Sequence, residues 1–228
     1  MYEVPAFCFT AAGVTELPLI SSVINNMAYD TIVFKCSGMI MNLFRQELQK
    51  GVYIQSVEGK TLYEFITEDC SISDEYISQK IKTVLIDGGP VDDIFNTKIH
   101  DGGSCALSGA MPGIVGAMMR MGSPYAAMRE SITVKPGKTD NSKKEIKLGL
   151  KLFNMILSDK GNDFLKRGVM IEKGRVLELF QQHGDELASG CSEIAVNGFQ
   201  SVQKPFVAGE FGPADDLVIL KVEIDSEN

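Results

Sequence analysis

The chain has 228 residues, 44% of them hydrophobic, which is enough for one sizeable core, and its 22 Lys plus Arg against 30 Asp plus Glu leave a net charge of −8. An acidic chain with no basic block lacks the phosphate contacts that dominate nucleic-acid affinity, and with no Trp and 8% aromatic residues it lacks a stacking platform for single strands. No apolar run approaches the roughly 20 residues of a membrane span, and Met1-Tyr-Glu-Val-Pro5 has no positive cap of a signal peptide, so the reading is a cytoplasmic protein without nucleic-acid or membrane partners.

The elements follow in chain order. Val4 to Thr10 reads as a strand, and Thr15 caps a helix carrying Leu19, Ile20, Val23, Ile24 and Met27 on one face. Asp30 to Cys36 is a β-branched strand. A second helix opens at Ser37 or Gly38, repeats Ile40, Leu43, Phe44 and Leu48 at helical spacing, and stops at Gly51. Val52 to Val57 is a third strand. Leu62 to Ile66 is a short helix, and Ser73 caps a helix predicted to run to Leu85. A loop and then a helix from about Ser104 are expected next, broken by Pro112, with another short helix from Ser123 to Arg129. The polar stretch Val134 to Lys144 reads as a mobile loop. Lys144 to Leu157 is expected as an amphipathic helix with Ile146, Leu150, Phe153 and Leu157 inward, followed by a helix over Val176 to Leu187 and a long strand from Asp216 to Ile224. These units predict a single α/β domain over 1–228. Its sheet is mixed and partly parallel, covered by helices, with a small-residue helical segment near the middle of the chain.

That segment, Asp101 to Met128, is rich in Gly, Ala, Ser, Met and Pro. Its first part, Asp101-Gly-Gly-Ser-Cys-Ala-Leu-Ser108, is a glycine-rich turn leading into the expected helix, where free N–H groups attract phosphate or carboxylate. Gly102, Gly103, Ser104 and Ser108 are the expected anion ligands; neither a Walker loop nor a GxGxxG pattern is present. Cys105 in a first helical turn would have a lowered pKa and act as nucleophile, with His100 or Asp101 moving the proton; a small buried hydrophobe is the competing reading of this cysteine. Arg120 and Arg129 would balance the ligand's charge, as Lys135 and Lys138 would from further along; surface salt bridges explain these cations equally well. Asp92 and Asp93, near Asp87, His100 and Asp101, are candidate oxygen ligands for a divalent metal, although turn-making accounts for them too. The sequence leaves any other cofactor open. His183 reads as a structural cation at a helix end.

Five cysteines without CxxC spacing read as reduced thiols in a reducing compartment and give structural zinc no support. Gly109, Gly113, Gly116 and Ala117, with Met111, Met118, Met119, Met121 and Met128, suit close helix packing and a subunit interface, hence a homo-oligomer. Gly212-Pro-Ala-Asp-Asp-Leu-Val-Ile-Leu-Lys-Val222 resembles the closing strand of metal-dependent serine/threonine phosphatases, where an Asp-Asp pair precedes an apolar strand. The resemblance covers those residues alone, and no role is carried over from it. The expectation is a small-molecule enzyme or binding protein for a phosphate- or carboxylate-bearing ligand held at residues 100–105. The competing expectation is a non-catalytic assembly protein in which residues 101–128 form the subunit interface.

Overall fold

In β1 (Thr31–Cys36), Ile32, Phe34 and Cys36 are buried and the residues between them half-buried, the period of two that a strand imposes. The computed structural model describes residues 29–134, 144–200 and 216–225. The expected strand and helix over residues 4–27, most of the loop 134–144 and residues 212–215 lie outside the described residues. After β1, a turn of 3-10 helix leads into α1 (Met41–Lys50), which buries Met41, Phe44 and Leu48 and ends at Gly51, where φ is 119°. β2 (Val52–Val57) follows. A reciprocal pair of hydrogen bonds between Thr61 and Glu64 starts α2 (Leu62–Glu64), which runs on as a π-helical turn over Phe65–Asp69. Ser73 caps α3 (Asp74–Lys80) as its sequence predicts.

Three expected helical stretches differ. The helix expected to reach Leu85 stops at Lys80, and the β-branched run after it is β3 (Thr83–Ile86), pairing with β4 (Gly89–Pro90) and β5 (Ser104–Ser108). The helix expected from Ser104 is β5 itself; the small-residue helix α4 (Gly113–Met119) begins only after Pro112. The helix expected from Lys144 is β6 (Glu145–Phe153), followed by α5 (Asn154–Arg167). Ile146, Leu148, Leu150 and Leu152 alternate inward there, and strands on both edges hold the segment extended.

The chain closes with β7 (Val169–Glu172), α6 (Lys173–Gly190, kinked at His183), β8 (Cys191–Val196), β9 (Phe199–Gln200) and β10 (Leu217–Ile224). His183, with non-helical φ and ψ, stands where two helical segments meet, in keeping with the helix end expected there. The ten strands form one mixed sheet in the order β4-β3-β5-β6-β2-β7-β10-β1-β8-β9, in which β1–β10 and β5–β6 are parallel. Helices cover one face. Phe34 of β1 packs 4.9 Å from Phe44 of α1 and 5.6 Å from Phe180 of α6, ring centre to ring centre. Beneath α1, the buried Glu47 carboxylate is held by Arg175 Nε at 2.9 Å and by Lys50 at 2.7 Å.

Two features depart from the regular pattern. β2 pairs with β6 along its whole length but with β7 only at Tyr53–Met170. β7 begins at Val169, opposite Leu220 of β10. The Tyr53–Met170 register sets Ile54 opposite Val169 and Gln55 opposite Gly168, where α5 joins β7. The second departure is a disulfide between Cys36 and Cys191, neighbours across β1 and β8. It corrects the reading of uniformly reduced thiols and removes the basis for assigning a reducing compartment. The pairing spans 155 residues and exists only through the β1–β8 register. No helix among the described residues is long and apolar enough to cross a membrane.

Candidate functional site

The glycine-rich loop is built around carboxylates of its own chain. Asp87, at the turn after β3, accepts the Ser104 N–H on one oxygen at 2.8 Å, and its other oxygen lies 2.8 Å from His100 Nε2. His100 Nδ1 lies 3.2 Å from the Asp101 carbonyl. Both ring nitrogens face acceptors, so the arrangement favours the doubly protonated ring. The Asp101 carbonyl, and after it the Asp87 carboxylate, raise the His100 pKa against the opposing effect of partial burial. Asp101 is in turn held below the usual carboxylate range by Lys144 at 3.1 Å, the Lys147 N–H and the Gly102 backbone. Gly103 donates to the His100 carbonyl at 3.2 Å, and a Cβ there would lie 2.9 Å from the His100 ring. The donors expected to hold an anion at Gly102–Ser104 are taken within the chain: the Ser104 N–H by Asp87, the Gly102 backbone by Asp101 and the Gly103 N–H by the His100 carbonyl.

The other expected site residues separate from this loop. Cys105 is fully buried in β5, and burial, helped by Asp87, pushes its thiol pKa up to about 12, opposite to the helix-terminus expectation. Ser108 is at the far end of β5 from Ser104, about 13 Å away at a strand's rise per residue, and its hydroxyl accepts from Asn154 at 2.9 Å. Arg129, 1% exposed, donates to the carbonyls of Met118 and Arg120, to Thr133, and to Asp92 at 2.6 Å. It is an internal clasp for the segment after α4. The Arg120 side chain is exposed, and its carbonyl belongs to that same clasp. Burial raises the Asp92 pKa, but the bonds from Arg129 and the Gly122 N–H outweigh it and hold the carboxyl low. Asp93 caps the turn of Phe95 and Asn96. Among the described residues, no group of three His, Cys, Asp or Glu is placed to hold a metal ion.

A different place has unmet chemistry. Where β2 and β7 part, a cavity of about 570 Å³ opens, bordered by Tyr53–Val57 of β2, Gly168–Met170 and Ile219 of β10. Its walls are mostly apolar. Its polar border includes Ser56, Lys60 and Arg167 together with three carboxylates, Glu68, Asp69 and Glu145. Most of these satisfy one another or a neighbour: Ser56 Oγ donates to Asp69 at 2.6 Å, Lys60 bridges Asp69 at 2.7 Å and Glu68 at 3.0 Å, and Glu145 accepts from Gln55 at 3.2 Å. Arg167 is the exception. Its guanidinium lies 4.8 Å from the Phe164 ring, and Nη1 donates to Ser71 at 2.9 Å. Nη2 is buried without a hydrogen-bond partner, and no carboxylate reaches ion-pair distance among the described residues. Burial lowers the Arg167 pKa, against the opposing pull of Cys70, Asp163 and Asp69.

These residues come from β2, the turn after it, the π-helical turn and the end of α5. No local motif links them, which is why sequence reasoning missed them. No family, no curated protein and no solved structure matched the chain.

Proposed function

We propose that this chain binds a small molecule bearing a carboxylate or phosphate in the cavity between β2 and β7, with the anion on Arg167 and the apolar body against Ile54, Val169 and Met170. The observation that carries this reading is the partnerless Nη2 of Arg167 beside a cavity of about 570 Å³. A buried donor left unmet is costly, and more so when it is charged. An anion that draws the guanidinium toward the cavity removes that cost, and the cavity falls within the usual range for small-molecule sites, about 300–1,000 Å³. The same ligand class was expected at residues 100–105, where the chain's own carboxylates already take the donors. Calorimetric titration with hexanoate and with inorganic phosphate tests the proposal. Binding by the parent protein and loss in Arg167→Met support it; equal binding by both refutes it.

A second reading rests on a separate observation. Ile114 and Val115 of α4, with Met128 and Ile132 beyond it, are all more than half exposed. A cluster of exposed apolar side chains of this kind suits contact with another subunit. If this face supports assembly, Ile114→Lys with Val115→Lys lowers the mass measured by light scattering.

A further inference from the structure

We propose that the chain's own segment over residues 15–27 docks as a helix on the face of the sheet away from α1, α5 and α6, where it covers an apolar row beside the β2–β7 cavity. The segment lies outside the described residues; the surface it covers and its point of attachment are described. Phe34 of β1 contacts α1 and α6, Arg45 of α1 reaches Asn162 of α5 at 3.0 Å, and Ser56 of β2 reaches Asp69 of the π-helical turn at 2.6 Å, so these elements share one side of the sheet. Phe34 pairs with Val222, so Ile219, an odd number of residues away on β10, points to the other side. Ile219 pairs with Met170, and Met170 with Tyr53, which sets the three in a row across β10, β7 and β2. Met170 and Ile219 are 7% and 6% exposed, and Tyr53 is half-buried. The row spans two strand spacings, about 10 Å, the width of one helix with its side chains, about 10–12 Å.

The described chain begins at Tyr29, which borders the cavity together with Tyr53, Met170 and Ile219. Lys147 Nζ lies 5.1 Å from the centre of the Tyr29 ring, and Lys147 pairs with Gln55, on the same face as Tyr53. The Asp30 carbonyl accepts the Ile219 N–H at 2.8 Å. The chain entering β1 has therefore already turned onto this face, and Ala28 alone separates Tyr29 from Met27. Leu19, Ile20, Val23, Ile24 and Met27 fall on one side of a 3.6-residue helix, with Ser21, Ser22, Asn25 and Asn26 on the other. An isolated helix this short is marginal in water, and packing its apolar stripe against a surface is what stabilises it. The row beside its attachment point offers that surface, whether or not the cavity takes an anion.

The test uses the full chain with methyl-labelled isoleucine and methionine. Nuclear Overhauser contacts from Ile20 or Ile24 to the Tyr53 ring or the Met170 methyl are the expected result, and their absence overturns the proposal. Contacts that appear only between differently labelled chains place the segment on a second copy and overturn it as well. Hydroxyl-radical footprinting gives an independent readout. Ile20→Asp with Ile24→Asp is expected to raise modification of Tyr53 and Met170 at least fivefold, while Ser21→Asp with Asn25→Asp leaves it unchanged and Met41, buried on the helix side, stays protected. Equal modification of Met170 in the parent and the double isoleucine variant overturns the proposal. A rise at Met41 as well marks general unfolding, and the Overhauser contacts then decide. Neither readout uses a cavity ligand, so failure here leaves the anion reading standing.

Discussion

The glycine-rich loop at residues 100–104 and the cavity beside Arg167 both place polar donors against the same sheet, but they differ in how those donors are satisfied. In the loop, the Ser104 N–H, the His100 ring and the Gly102 backbone turn toward Asp87 and Asp101. In the cavity, one guanidinium N–H has no acceptor at all. A pattern of glycines shows that backbone donors converge; it does not show whether the protein has already filled the site. Binding capacity follows from what folding leaves unmet, and by that measure the less conspicuous region is the stronger site.

The contrast can be broken by experiment. The largest expected effect is on affinity: Arg167→Met removes a charge-assisted hydrogen bond, which is worth about 1.5–3 kcal/mol, or roughly a 10- to 150-fold rise in the Kd for a carboxylate ligand. Calorimetry reads it directly. Gly103→Val is expected to leave that affinity unchanged. Its side chain would meet the His100 ring and carbonyl at about 3 Å, which predicts a loss of about 1–3 kcal/mol in denaturant unfolding. A loss of ligand affinity in this variant, without a loss of stability, would return the site to the loop.

A smaller effect concerns pH. The folded-state pKa of His100 is raised, so its contribution to stability is full below about 6.5, its unfolded value, and is lost as pH rises through the folded value. The ring is about half exposed, so the slope is shallow. Asp87→Asn is expected to flatten it, and thermal melts from pH 5 to 8 will show whether it does. The smallest expected effect is none: Cys105, buried with its thiol pushed up to about 12, is predicted not to react with iodoacetamide in the native protein at pH 7.5. Rapid alkylation at Cys105 would revive the nucleophile reading.

Much of the fold was legible in the sequence. α1, with its glycine stop, and β2 fall where spacing places them, and β1 and β10 start within a residue of their expected positions. β6 was misread because Ile146, Leu150, Phe153 and Leu157 satisfy helical spacing as well. The alternation through Leu148 and Leu152 decides between the two only when β2 and β5 are there to pair with it. β5 was misread for a related reason: small residues carry little periodicity, and its strand state comes from β3 and β6 on either side. Arg129 looked like a ligand's counter-charge because sequence cannot show burial; its bonds to two main-chain carbonyls and Asp92 arise from the fold of residues 118–133. The cavity left no sequence signal, since Ser56, Lys60 and Arg167 are each ordinary in their own segment.

The most direct test is a solution NMR titration of the full chain with hexanoate, following backbone amides together with the arginine side-chain signals. Shifts that cluster at Ile54–Val57, Gly168 and Arg167, while Gly102–Ser104 stay still, are the predicted result. Shifts confined to Gly102–Ser104 would contradict the assignment of the site to the cavity.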